Sequence, residues 1–315
     1  HLATFFTWAL AFVFYILSNI LLPFLFFPWL AVGTLIPMPW FLAATFDLES
    51  FGSTMLLLVW GVALALASEL THRIEMTRKY SLPALLASLP TFALAIVTGY
   101  ANSASLGMSA AFSVAIIYGL LHLLRIRWWL WSLALFNFII AYFTFFNLEL
   151  IQKLNIFIGY QSLTLSILLL LPDLFLKKDF MANIQWRMPP RIAGAAFVLF
   201  TSGGPFVQNE SNHAAVCFAV YTLFFAVYAF AWQKAIFGYL PVVYLPLTII
   251  FALDALEVDA WLPTLTGLAV LYFIIGAAIR AKEDWARVFR FSALVLGVLT
   301  SFTALMLQKE HGGWY

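Results

Sequence analysis

Apolar residues run through this chain in blocks rather than in alternation. The blocks fall at 3–22, 24–45, 52–70, 82–100, 107–124 and 128–147, then at 156–176, 191–207, 212–232, 235–254, 260–280 and 287–308. Short polar or charged stretches separate them. A helix rising 1.5 Å per residue needs about 20 apolar residues to cross about 30 Å of hydrocarbon, which is close to the length of each block. Barrel strands alternate apolar and polar positions instead. The pattern therefore predicts an all-α polytopic transmembrane bundle of about twelve spans. Ten is the lower bound, because only Pro23 and Pro28 interrupt the first two blocks. With connections this short, 1–315 reads as a single transmembrane domain.

The placement of charge orients the bundle. Arg73, Arg78 and Lys79 follow the third block, Arg125 and Arg127 the fifth, and Lys177, Lys178, Arg187 and Arg191 the seventh. Lys234 follows the ninth, and Arg280, Lys282, Arg287 and Arg290 the eleventh. The other set of loops holds only Lys153 and Lys309, with Asp47, Glu49, Glu149, Glu210, Asp254, Glu257 and Asp259. Positive loops resist translocation, so the basic set is expected to be cytoplasmic and both ends of the chain to face the acidic side. Trp128, Trp129, Trp131, Trp186, Trp232 and Trp285 border the basic loops, as headgroup-level rings do. Centres of the basic loops recur about every 50 residues, the period of a repeated helical hairpin or simply of short-looped spans taken in pairs.

Composition removes whole classes. With 64% apolar and 10% charged residues, the chain cannot solvate a globule of its size. A nucleic-acid binder, a disordered tail and a disulfide scaffold are excluded, and the lone Cys217 reads as a small buried hydrophobe. The chain begins at His1 rather than Met, so preceding residues are expected to be missing. The stretch Val258-Asp-Ala-Trp-Leu-Pro-Thr-Leu-Thr-Gly-Leu-Ala-Val-Leu-Tyr-Phe273 resembles bacterial multi-spanning membrane proteins of unknown function built from serial helix hairpins. The resemblance covers the C-terminal two thirds, carries no diagnostic motif and implies no activity. It points to the bacterial inner membrane.

Candidate chemistry is sparse. Charges inside a bilayer are costly and usually functional, yet no carboxylate lies at a midplane. Glu69 and Asp173 sit at block ends and are expected to pair with basic neighbours. His122, in the block 107–124, is the candidate axial ligand for a porphyrin-type cofactor, against the plainer reading of a hydrogen-bonded helix-end histidine. His213, near Asn209, Glu210 and Asn212, is a candidate for an outer-face metal or catalytic cluster. Thr201-Ser202-Gly203-Gly204-Pro205 reads as a substrate or ion site at a helix break, or else as a plain helix end. Asn137, Gln161, Ser162 and Thr164 are expected to be polar glue between helices. The stripe Gly107, Ala111, Ala115 predicts close helix packing. The 33 phenylalanines suit contact with lipid tails or pigments without choosing between them, and no specific cofactor is indicated.

Three functions fit. The first is a non-catalytic structural or accessory subunit of a larger membrane assembly, with the lipid bilayer and other membrane subunits as partners. The second is a transporter or lipid flippase. The third is a membrane enzyme on lipid-linked substrates, using Asp47, Glu49, His213 or Asp254.

Overall fold

The computed structural model describes residues 1–175, 184–208, 211–279 and 282–311, the side chains of 205–208 and 307–311 excepted. Among these residues the regular structure is helical, with no strands. Eleven of the helical stretches are long and apolar enough to cross a membrane. The chain is an integral, multi-pass membrane protein. Its helices group into two compact units, 1–155 and 156–315.

The first unit contains α1 (Leu2–Leu21), α2 (Phe27–Leu35), α3 (Met38–Thr45), α4 (Ser50–Arg73), α5 (Ser81–Asn102), α6 (Ala104–Arg125), α7 (Trp128–Phe146) and the single turn α8 (Glu149–Gln152). The second apolar block is thus two short helices. Pro39 in the first turn of α3 has no N–H to give the Leu35 carbonyl four residues back. The Trp60 indole donates to that carbonyl instead, at 2.9 Å, tying the break to α4. In lipid no water could make good such a loss.

Helix α4 packs along α5, α5 on α6, and α6 on α7. Small residues set the closeness. A Cβ on Gly61 of α4 would lie 2.5 Å from the Phe92 ring of α5, and one on Gly99 would lie 3.0 Å from the Gly107 Cα. Ala111 and Ala115, one and two turns beyond Gly107, are buried, as their spacing predicts. Ser103 makes the sharp α5–α6 turn possible. Its hydroxyl caps α6 by accepting from the Leu106 N–H at 3.2 Å, which satisfies one of the four orphan donors of that helix start.

The second unit contains α9 (Ile158–Leu170), α10 (Pro172–Phe175), α11 (Ile184–Gln208), α12 (Ser211–Trp232), α13 (Ala235–Ala255), α14 (Trp261–Ala278) and α15 (Glu283–His311). Helix α11 packs on α9, α12 on α13, and α14 on α15. Its core is aromatic where the first unit's is mostly aliphatic: Phe218, Tyr221 and Phe225 of α12 surround Tyr244 of α13, with Phe225 and Tyr244 stacked at 5.6 Å. Cys217 is buried in this cluster as a free thiol.

Helix α11 departs from expectation. It begins at Ile184 rather than near 191, and it is not among the eleven sufficiently apolar stretches. Gln185, Arg187, Arg191 and three prolines dilute its hydropathy.

Candidate functional site

The buried carboxylates, Glu69 and Asp173, lie at the basic-loop ends of the helices, one in each unit. In the first, Glu69 near the end of α4 is 9% exposed. Its Oε2 accepts from Arg125 Nε at 2.7 Å and its Oε1 from Arg73 Nε at 3.0 Å. Arg125, at the last residue of α6, also donates from Nη2 to the Ser68 carbonyl at 2.6 Å and to Ser81 Oγ at 3.1 Å. The Ser68 hydroxyl in turn donates to the Ser81 carbonyl at 2.7 Å. One guanidinium thereby joins the ends of α4, α5 and α6. Its planar donor fork suits this multiple role better than a lysine would.

In the second unit Asp173 of α10 is 6% exposed. Its Oδ2 accepts from Arg191 Nε of α11 and from the Tyr228 hydroxyl of α12, the latter at 2.8 Å. Arg187 and Arg191 both lie over the Trp232 ring, with guanidinium carbons 5.9 and 5.1 Å from its centroid. Both acids therefore pair with basic residues, as expected. The partners Arg125, 56 residues away, and Arg191, across residues 176–183, come from other helices. Lys177 and Lys178, the basic residues nearest to Asp173 in sequence, lie outside the described residues, as do Asn209, Glu210 and Arg280.

His122 is fully buried at the end of α6. Its Nδ1 meets the Arg127 carbonyl at 2.8 Å, and since a carbonyl only accepts, Nδ1 is the donor. The ring stacks on Trp131 at 5.7 Å. Next to it Ile126 takes a left-handed φ of 44°, costly for a β-branched residue. The histidine thus braces the strained α6–α7 turn. His213 meets the Tyr160 hydroxyl at 2.7 Å and stacks on Phe157 at 4.6 Å.

The Thr201–Pro205 stretch forms no break: α11 runs helical through it to Gln208. Thr201 and Ser202 return their hydroxyls to the carbonyls of Phe197 and Val198, four residues earlier, both at 2.7 Å. Such back-bonding satisfies both hydroxyl donors inside the helix. The side chain of Pro205 lies outside the described residues. Around Gly203 and Gly204 nothing lies within 4 Å of where a Cβ would stand. Gly203→Ala is therefore expected to raise thermal stability, by up to about 1 kcal/mol, as Gly to Ala does in an open helix interior. A melting curve in detergent checks it, and a loss of stability would reveal a contact at this face.

The expected glue residues also turn to their own segments. Asn137 donates to the Leu133 carbonyl at 2.8 Å, Ser162 to Ile158 at 3.1 Å, Thr164 to Tyr160 at 2.8 Å, and Gln161 to Ile156 at 3.0 Å. Tyrosines supply four of the bonds between helices: Tyr118 with Ser88 at 3.4 Å, Tyr221 with Ser166 at 2.8 Å, Tyr244 with Ser202 at 2.9 Å, and Tyr100 with Thr144. A tyrosine hydroxyl stands far enough from its backbone to reach a neighbouring helix, whereas a serine or threonine reaches its own i−4 carbonyl first.

A cavity of about 460 Å³ lies among α13, α14 and α15, lined mainly by apolar groups including Val242, Pro246, Leu265 and Leu296. Three hydroxyls on its wall bond backbone carbonyls: Tyr272 that of Val242 at 3.0 Å, Thr300 that of Gly297 at 3.1 Å, and Thr303 that of Leu299 at 2.8 Å. A second cavity of about 400 Å³ shares Ile250 and Trp261 with it and is walled by Asp254, Glu257 and Asp259. Asp254 also accepts a bond from Ser211. Among the described residues no three His, Cys, Asp or Glu side chains are grouped so as to hold a metal ion. No protein-family model, curated protein or solved structure matches this chain.

Proposed function

We propose that this chain is a structural, lipid-contacting subunit of a larger membrane assembly. It crosses a bacterial inner membrane twelve times, with α11 as the eighth crossing, as serial helical hairpins repeating about every 50 residues and with its basic loops cytoplasmic. The observation that supports this reading is where the membrane helices send their polar groups. Asn137, Ser162 and Thr201 bond their own backbones, and Tyr118 and Tyr221 bond neighbouring helices. Glu69 and Asp173 meet arginines at helix ends. Polar chemistry spent this way fixes helices against one another. The experiment is purification in mild detergent followed by mass spectrometry of the intact particle. Other membrane proteins are expected in fixed ratio to this chain, and a solitary homogeneous particle would overturn the proposal.

The second reading, a lipid transporter or flippase, is favoured by the apolar cavity among α13–α15 and the acidic cavity that adjoins it. Purified chain that moves labelled lipid between the leaflets of a vesicle would establish it.

A further inference from the structure

Among the described residues of the second unit, three side-chain N–H groups are buried and donate to nothing in the protein: Arg187 Nε, Arg191 Nη2 and Trp232 Nε1. They are gathered in one place. Arg187 and Arg191 stand one helical turn apart on α11, so they share a face, and both guanidinium groups lie within 6 Å of the Trp232 ring. One acid reaches this place among the described residues. That acid is Asp173, whose Oδ2 is already occupied by Arg191 Nε and the Tyr228 hydroxyl. Two guanidinium charges thus face one carboxylate.

Donors withdrawn from water without an acceptor are costly, and native proteins seldom leave several together. Nor does ring stacking use the N–H groups, since a guanidinium over an indole presents its face and keeps its edges for hydrogen bonds. What would satisfy the cluster carries negative charge and several acceptor oxygens, and it approaches two arginine edges and an indole N–H together. A phosphate group has these properties and matches the arginine fork bidentately. Asp173 Oδ1, also buried without a partner, is an acceptor that the O–H of a singly protonated phosphate can fill. The place in the fold agrees. The cluster sits where α10, the start of α11 and the end of α12 meet, at the end of the helices that carries the basic loops, where basic pockets between membrane helices hold lipid headgroups.

We infer that Arg187, Arg191 and Trp232, positioned by Asp173 and Tyr228, form a binding site for a phosphate anion. Its source is either the headgroup of an anionic lipid or a soluble phosphate compound. The inference is independent of whether the chain is a subunit or a transporter.

The test uses the full chain, delipidated in neutral detergent, with three probes: dioctanoyl phosphatidic acid, inorganic phosphate, and dioctanoylglycerol as the phosphate-free control. Binding is read from retained radiolabel and from the rise in melting temperature. Phosphatidic acid is expected to bind saturably and dioctanoylglycerol not to. Arg187→Gln is expected to weaken binding about tenfold and Trp232→Phe, which keeps the ring and removes the N–H, a few-fold, as loss of a charged and a neutral hydrogen bond does. Neither substitution touches the Asp173 pair, so both proteins should melt close to the native chain without ligand. Inorganic phosphate binding as tightly as phosphatidic acid assigns the site to a soluble phosphate compound; much tighter binding of the lipid assigns it to a headgroup. Binding of neither, equal binding of dioctanoylglycerol, or native affinity in both variants would overturn the inference.

Discussion

Arg125→Ala is expected to destabilise the first unit by about 3–5 kcal/mol, the usual cost of stranding one member of a buried ion pair. The arginine side chain is 9% exposed and Glu69 12%, so water does little to replace what is lost. Removal leaves Glu69 with Arg73 alone, and it takes a donor from both the Ser68 carbonyl and the Ser81 hydroxyl. Arg73 provides the internal comparison. It bonds the same carboxylate, but its own side chain is 64% exposed, and exposed pairs contribute about 0–1 kcal/mol. Unfolding in mixed micelles should therefore separate Arg125→Ala from Arg73→Ala by at least a factor of ten in the folded-to-unfolded ratio. Equal losses would mean that the buried network contributes no more than a surface pair.

The other large effect is steric. Gly61→Leu is expected to cost about 3 kcal/mol, at the upper end for overpacking a core. Phe92 blocks the added atoms, and it cannot swing away easily. The ring is 1% exposed and packs edge-on against Tyr118 at 5.5 Å, which in turn meets Ser88. The smaller Gly61→Ala gains helix propensity but still places a carbon 2.5 Å from the ring, so it should fall between native and Leu. The compensating double variant Gly61→Ala with Phe92→Leu should recover part of the loss. Absence of any recovery would place the strain elsewhere than at this contact.

Much of this architecture is legible in the residues themselves. Continuous apolar blocks announce helices in a bilayer, and the spacing of Gly107, Ala111 and Ala115 announces a buried stripe, because both depend only on local period and volume. Glu69 and Asp173 stand out as acids at the basic ends of apolar blocks, which suffices to predict that basic residues meet them. Which basic residues do so depends on how helices pair. Arg125 and Arg191 reach their partners across helix boundaries that sequence distance conceals. Thr201–Pro205 misleads for a different reason. Glycine and proline weaken a helix by local rules, but α11 packs along α9, and tertiary packing overrides local propensity. The part played by Trp232 is invisible in sequence, where it reads as one more headgroup-level indole, since only the fold brings two arginines over its face.

Pro246 in α13 has a consequence of its own. Lacking an N–H, it cannot bond the carbonyl of Val242 four residues back, and that carbonyl accepts from the Tyr272 hydroxyl of α14 at 3.0 Å. The bond missing inside one helix is supplied by its neighbour. A proline inside a membrane helix is its natural pivot, and this one is pinned to α14 at the carbonyl it leaves free. Bending α13 about Pro246 must therefore carry α14 with it or expose an unbonded carbonyl to lipid. The pair behaves as a lever whose fulcrum is clamped, and Tyr272 sets how stiff that clamp is.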